Sequence, residues 1–297
     1  MKINRRAAAY GVSRSGDGGV LLTRGSDLSA FPGVWSLPGG GIDHGEHPDD
    51  AVVREFAEET GLAVRITGVR TVLADLARLP DGTIEHTDRI VYDVAVTGGE
   101  LTPETAGTSD LVARVAPADV ADLPLLPFTA GVLGVPFEPV DLTDETFGTP
   151  EPTGRVQRFG AYALATDPAG RILLTRIADG YPGGGHWHLA GGGTDFGETP
   201  ERALARELYE ETSQRGRITG LVGVSHRYDP AALGPEGVPL DWHVIRVVYQ
   251  VTVPEPTVAA VTEAAGGSTA EAAWFTPDQA RNLPLTELTR DVLGRTG

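Results

Sequence analysis

Sliding the chain against itself by 152 residues brings Tyr10 onto Tyr162, residues 20–24 (VLLTR) onto 172–176 (ILLTR), and Trp35 onto Trp187. Over positions 9 to 62 about two dozen of 54 pairs are identical without a gap, among them Gly39 with Gly191, Glu46 with Glu198, Arg54 with Arg206 and Glu59 with Glu211. The likeness resumes with small shifts: HTDRIVY (86–92) mirrors HVIRVVY (243–249), and LPLLPFTAGVLG (123–134) mirrors LPLTELTRDVLG (283–294). A duplication of this kind limits the chain to two similar domains. Two copies are too few for a solenoid, and each is long enough to bury its own core. The segment 135–153 is rich in Pro, Asp, Glu, Thr and Gly and has no apolar period, so the linker is placed there, between a domain at 1–134 and another at 154–297.

Within each copy, short apolar runs bounded by Gly, Asp and Ser read as strands, for example AAAYGV, GVLLTR, ITGVRTVLADL and RIVYDVAV in the first. One helix stands out, over about 48–60, and its counterpart follows Thr199. Pro48 suits a first helical position, Asp49 and Asp50 favour the positive end of the helix dipole, and Gly61 is placed to end the helix in the left-handed conformation. The second copy has Ser213 at that end, where a left-handed turn would cost about 1 kcal/mol or the turn takes another shape. A further helix is expected at about 124–134 and 284–295.

Charge and composition exclude several classes. With 24 Lys and Arg against 41 Asp and Glu, the net charge of −17 opposes attraction to nucleic acid or to an anionic membrane. No cysteine is present, which removes disulfides, thiolate catalysis, iron–sulfur clusters and Cys-ligated zinc, and the expected compartment is the cytoplasm. No run approaches the roughly 20 apolar residues of a membrane-spanning helix.

The chemistry concentrates on the long helix. Glu55, Glu58 and Glu59 share one side over a single turn, beside Arg54, and the second copy repeats them as Glu207, Glu210 and Glu211 beside Arg206. Three carboxylates so placed repel one another unless cations neutralise them, and hard oxygen ligands favour Mg2+ or Mn2+. Just upstream, Gly39–Gly41 and Gly191–Gly193 lead into the helix; three glycines there suggest a flexible bend whose amides approach a ligand closely.

These residues resemble the Nudix box, Gly-x5-Glu-x7-Arg-Glu-U-x-Glu-Glu-x-Gly-U, with U a bulky apolar residue. Residues 40–62 agree at every fixed position; residues 192–214 keep every charged one but have Ser213 and Gln214 at the last two, and Ala190 replaces Pro38 ahead of the box. A tandem Nudix protein implies two α/β/α sandwich domains with mixed sheets and Mg2+-dependent hydrolysis of a nucleoside diphosphate linked to another moiety. The resemblance gives Glu55, Glu58, Glu59, Glu207, Glu210 and Glu211 the metal. It makes Arg54 and Arg206 orient a glutamate, and Glu46 brace the turn at Gly40. The general base varies in the family; Asp110 and Glu271 are candidates outside the box.

Other residues stay open between roles. Trp35 and Trp187 suit either core packing or stacking on a base. His186 and His188 flank Trp187 as a weak metal pair, while His86 and His243, each followed by an arginine (Arg89, Arg246), suit either a phosphate contact or a structural hydrogen bond. The proline expected of ADP-ribose-cleaving members is missing, with Ala77 and Arg78 in its place and Pro80 only nearby. Two rivals remain: a ligand-binding or regulatory protein on the same scaffold, and a chain in which one domain is catalytic and the other its structural partner, an intramolecular version of a homodimer.

Overall fold

The computed structural model describes residues 2–138, 155–233, 239–262 and 267–295, so the expected linker lies outside the described residues from 139 onward. The chain divides into two compact units, Met1–Glu151 and Pro152–Gly297. No helix among the described residues is long and apolar enough to cross a membrane.

In the first unit, β1 (Ile3–Val12) carries the buried run Ala7–Val12 and pairs parallel with β6 (Ile84–Gly99), from Ile3 opposite Ile84 to Val12 opposite Asp93. Strand β5 (Leu62–Arg78) returns antiparallel to β6 through a turn at 79–82, where Gly82 takes φ +83° and its N–H donates to the Leu79 carbonyl. Pro80 is the second residue of that turn, a position that suits its fixed φ. On the other edge of β1 lies β4 (Gly39–Gly41), which completes a four-stranded mixed sheet in the order β4-β1-β6-β5. Strands β2 (Val20–Gly25), β3 (Trp35–Ser36) and β7 (Ser109–Val115) form a separate antiparallel sheet in the order β3-β2-β7.

The second unit joins the matching elements into one six-stranded sheet. Here β8 (Arg155–Thr166), β9 (Ile172–Ile177), β10 (Trp187–Gly193), β11 (Arg217–Leu233), β12 (Pro239–Thr252) and β13 (Thr269–Phe275) run in the order β11-β12-β8-β10-β9-β13. Mixed α/β units with mixed sheets are what the sequence implies.

The long helix is α1 (Pro48–Thr60) in the first unit and α3 (Pro200–Thr212) in the second. His47 caps α1 through Nδ1, which accepts the Asp49 N–H at 3.0 Å, and Thr199 caps α3. Ala51, Val52 and Phe56 are buried against the sheet, as are Ala203, Leu204 and Leu208 in α3.

The closing helices are shorter than expected, α2 (Pro127–Leu133) and, after a short α4 (Pro277–Arg281) that the sequence did not suggest, α5 (Glu287–Arg295). The Leu-Pro-Leu segments ahead of them are extended. Leu125 bridges Trp35 in parallel and Leu285 bridges Trp187, and the tryptophan N–H donates at 2.7 Å to the carbonyl of Pro124 or Pro284. A proline in each segment disfavours helix at the residue before it, and the strand edge takes up the backbone groups.

Both tryptophans are core residues. Trp35 packs in a cluster with Val20, Leu22, Leu37 and Phe128, and Trp187 packs with Leu174, Leu189 and Leu288 and meets Phe275 edge-on at 4.8 Å. Burial, not stacking on a base, accounts for them.

Candidate active site

The glycines suggested a flexible bend, and the structure instead makes them strand. Gly39, Gly40 and Gly41 are β4, opposite Tyr10, Ala9 and Ala8, and Gly191–Gly193 end β10. Gly39 has φ +142°, and a Cβ there would fall 2.2 Å from the Ala9 carbonyl oxygen; Gly191, at φ +139°, stands in the same relation to Ala161. Gly40 is needed for another reason: a Cβ on it would lie 2.6 Å from Glu55 Oε2, and one on Gly192 would lie 2.7 Å from Glu207. The missing side chains let the helix set its carboxylates directly against the strand backbone.

From that strand the site builds outward. Arg54 Nε and Nη2 donate to the two oxygens of Glu46 at 2.9 Å each, Nη2 also donates to the Gly41 carbonyl at 3.0 Å, and Nη1 reaches Glu55 at 2.8 Å and Glu58 at 3.2 Å. Arg206 repeats every one of these bonds with Glu198, Gly193, Glu207 and Glu210. A planar fork with five donors can satisfy such a set, and a lysine cannot. Glu46 also accepts the Asp43 N–H at 2.9 Å, which ties the turn after β4 to the helix.

Glu59 sits deeper, 8% exposed, with its oxygens held by the Gly39 N–H at 2.9 Å, the Ser109 hydroxyl at 2.5 Å and Thr23 at 3.4 Å. Glu211, 7% exposed, accepts the Gly191 N–H at 2.9 Å and the Thr269 hydroxyl. Burial pushes both carboxyls up to about 7 against the pull of these donors. Burial also raises Glu55 and Glu207, with Glu58 and Glu210 adding like-charge repulsion and Arg54 and Arg206 opposing it.

Several participants were not visible in the sequence. Ser109 and Thr269 open β7 and β13, about 50 residues or more beyond the glutamates they bond. Glu104 accepts the Ser109 N–H at 3.2 Å, and its charge helps keep the Glu59 carboxyl high. Arg6 of β1 has Nη2 3.7 Å from where a Gly41 Cβ would stand, and works to lower Glu55.

The candidates outside the box are engaged in ion pairs. Asp110 forms a two-bond pair with Arg24 at 2.9 and 3.1 Å, and Glu271 pairs with Arg176 at 3.2 Å; both are exposed cross-strand ion pairs. His186 contacts the Gly183 carbonyl, while His188 is bonded to Thr286 at 2.6 Å and lowered to about 4 by burial, so each is engaged separately. His86 lies 3.5 Å from buried Asp88, and burial lowers it to about 3. His243 is bonded on both ring nitrogens, to Gln157 at 3.1 Å and His226 at 3.2 Å. The structural hydrogen bond is the role His243 shows, and His86 is held in a buried place beside an acid.

A NUDIX domain model matches twice, at residues 4–133 and 156–294. The chain belongs to the NUDIX family. Among NUDIX relatives, an ADP-ribose pyrophosphatase of Methanocaldococcus jannaschii is 39% identical over 85 residues, 29% of this chain and 48% of that protein. A putative 8-oxo-dGTP diphosphatase of Mycobacterium tuberculosis is 36% identical over 111 residues, 36% of this chain and 49% of that protein. The chain thus spans about half the length of these curated relatives. A solved MutT NUDIX hydrolase from Burkholderia pseudomallei shares 29% identity over 48% of this chain and 99% of its own, with a TM-score of 0.38.

Proposed function

We propose that each domain is a divalent-metal-dependent pyrophosphohydrolase that cleaves the pyrophosphate linkage of a nucleoside diphosphate joined to another moiety. The observation that carries this reading is the bond-for-bond repetition of Arg54 and Arg206 with their three glutamates each, in a family that generally uses divalent metals such as Mg2+. The donor set is entirely carboxylate, which suits Mg2+ or Mn2+. Among the described residues no three acidic or histidine side chains are already drawn together as a cage. Arg54 holds Glu55 and Glu58, and hydroxyl and amide donors hold Glu59. Residues Glu55, Glu58 and Glu59, and Glu207, Glu210 and Glu211, are the proposed ligands, with ligand contact by Gly39–Gly41 and Gly191–Gly193 part of the same proposal.

Bound there, the metal would neutralise the phosphate oxygens and lower the pKa of an attacking water. The chain's own part is positioning. Arg54 fixes the spacing of Glu46, Glu55 and Glu58, and Ser109 with Gly39 fixes Glu59. Without metal, burial keeps the Glu59 carboxyl near 7, so a cation bound there would displace its proton. The compartment proposed is the cytoplasm, where a chain with no cysteine loses nothing to reducing conditions.

A phosphate-release assay coupled to a phosphatase, run with Mg2+ over a panel of nucleoside diphosphate derivatives and triphosphates, tests the reading. Turnover of at least one, abolished by chelation, is expected. Tight binding of a nucleotide with no product would replace the hydrolase by a ligand-binding protein.

A further inference from the structure

The arginine that follows the repeated histidine has opposite fates in the two domains. In the first, Arg89 is buried and fully engaged: Nε and Nη2 lie 2.9 Å from Asp75, Nη1 donates to the Tyr10 hydroxyl at 2.8 Å, and the guanidinium lies 4.1 Å from the centre of the Phe128 ring. In the second, Arg246 donates through Nη2 to the His226 carbonyl at 3.2 Å, while its buried Nε has no hydrogen-bond partner and the group has no ion pair among the described residues. The register explains the loss. Leu73 faces Arg89 and Ser225 faces Arg246, so the place of Asp75, two residues on, falls to Arg227, a like charge. The repeat also puts Leu288 in the place of Phe128.

The surroundings of Arg246 lead to the acidic helix. Gly160, which faces Arg246 across the sheet, has no side chain, and the Tyr162 hydroxyl leans to 3.4 Å from where its Cβ would stand. Tyr162 is raised to about 12 by burial, and feels both Arg246 and the helix acids Glu211 and Glu207. His188 meets the Tyr162 ring edge-on at 5.0 Å. Glu287 and Asp291 act on Arg246 from a distance without pairing with it.

We propose that Arg246, with the Tyr162 hydroxyl beside it, is an anion subsite of the second domain that takes an additional phosphate group of the substrate, a subsite that Asp75 closes in the first domain. The inference rests on the hydrolase reading for the identity of the ligand. A guanidinium with no ion pair among the described residues and an unpartnered Nε, set in a partly desolvated place, has an uncompensated need for an anion, and phosphate oxygens meet that need with charge-assisted hydrogen bonds. Substrates with a longer or more phosphorylated chain belong to the second domain, and less charged ones to the first.

Isothermal titration of the full chain with inorganic tripolyphosphate, in chelator so that no metal bridges it to the glutamates, tests the subsite. One saturable site is expected. Arg246→Met weakens it about tenfold or more, the scale of one charge-assisted hydrogen bond. Arg227→Asp installs the acid that the first domain has, keeps Arg246 in place, and weakens binding similarly. Arg89→Met and the charge control Arg217→Asp leave it unchanged. No binding in the unaltered chain, two equal sites, full binding by Arg246→Met, or an equal loss in the controls overturns the proposal. In the nucleotide panel, Arg246→Met raises KM for a nucleoside triphosphate and not for a diphosphate derivative cleaved by the first domain. A chain that binds tripolyphosphate through Arg246 yet turns over nothing would sink the hydrolase reading and leave the subsite standing.

Discussion

The glycine strand is cut in two in the first domain and continuous in the second. Pro38 separates β3 from β4, and with no N–H to give it ends the ladder; its carbonyl accepts the Gly11 N–H at 2.9 Å instead. Ala190 occupies the same place in β10, pairs with Ala163, and lets one strand connect β9 to β8. The two domains thus differ at this residue and in the continuity of the strand, while the acid–arginine constellation is the same in both. The site depends on the last three residues of that strand and on the helix, and not on how the sheet is continued beyond them.

The largest effects should come from the glutamates, because they test whether the two domains are equals. Glu59→Gln keeps an oxygen for the Gly39 N–H and can turn its amide toward the Ser109 hydroxyl, so the fold is expected to survive while turnover at the first site falls by about 10²-fold or more. Glu211→Gln should do the same for the second. Steady-state rates on the best substrate of the panel check this: loss in one variant only assigns catalysis to one domain, and equal partial losses make the domains equivalent.

Next in size is the strand itself. Ala190→Pro should split β10 as Pro38 splits its counterpart, but in a strand flanked on both sides, where the lost ladder bond and the ring cost about 3 kcal/mol. Pro38→Ala should change stability by less than about 1 kcal/mol. Urea unfolding followed by hydrogen exchange, which separates the two units, reads both. An Ala190→Pro variant as stable as the parent would mean that the single sheet contributes nothing to the second domain.

The pH dependence sharpens the comparison in a different way. Glu59 and Glu211 sit near 7 in the folded chain against roughly 4.3 when unfolded, so the folded state holds the proton longer. Their contribution is fully present below about 4.3 and is lost as pH rises to 7, which makes the metal-free chain less stable across that window. The double variant Glu59→Gln/Glu211→Gln should flatten the slope, and Mg2+ should do the same for the unaltered chain. Thermal unfolding in chelator at pH 5, 6 and 7 measures it. An unaltered chain whose metal-free stability rises over this window would contradict the burial of the two carboxyls.

How much of this could be read from the chain alone depends on sequence distance. Helix α1 was legible because its caps, its apolar face and its acids all lie within one short segment, and Arg54 with Glu46 because the spacing of a known motif ties them together. Ser109 and Thr269 were not. A hydroxyl at the start of a strand carries no spacing that points to a glutamate far upstream, and only the sheet brings them together. Leu125 and Leu285 were misassigned to helices for a related reason: an apolar Leu-Pro-Leu run looks like a helix start until the edge formed by Trp35 or Trp187 claims its backbone. Asp110 and Glu271 looked available because their partners Arg24 and Arg176 are on strands that the sequence does not show to be adjacent.

The smallest expected effect lies at the helix ends, where the sequence left the shape of the second copy open. Ser213 does take the left-handed conformation, at φ 58°, and its N–H closes onto the Tyr209 carbonyl as Gly61 closes onto Ala57. The serine hydroxyl then donates to the Ala260 carbonyl at 2.8 Å, and the adjacent Gln214 side chain bonds both Thr257 and the Thr212 carbonyl. The two departures from the motif are therefore one device that pins the segment 257–260 to the helix end. Ser213→Gly would relieve about 1 kcal/mol of backbone strain and lose a hydrogen bond of about the same size, for a net change within about 0.5 kcal/mol. The reverse exchange is not symmetric. A Cβ at Gly61 would stand 2.5 Å from the Glu100 carbonyl oxygen, so Gly61→Ser should cost about 1–3 kcal/mol in urea unfolding. Equal losses for the two exchanges would show that the helix end, and not the segment packed on it, sets the choice of residue.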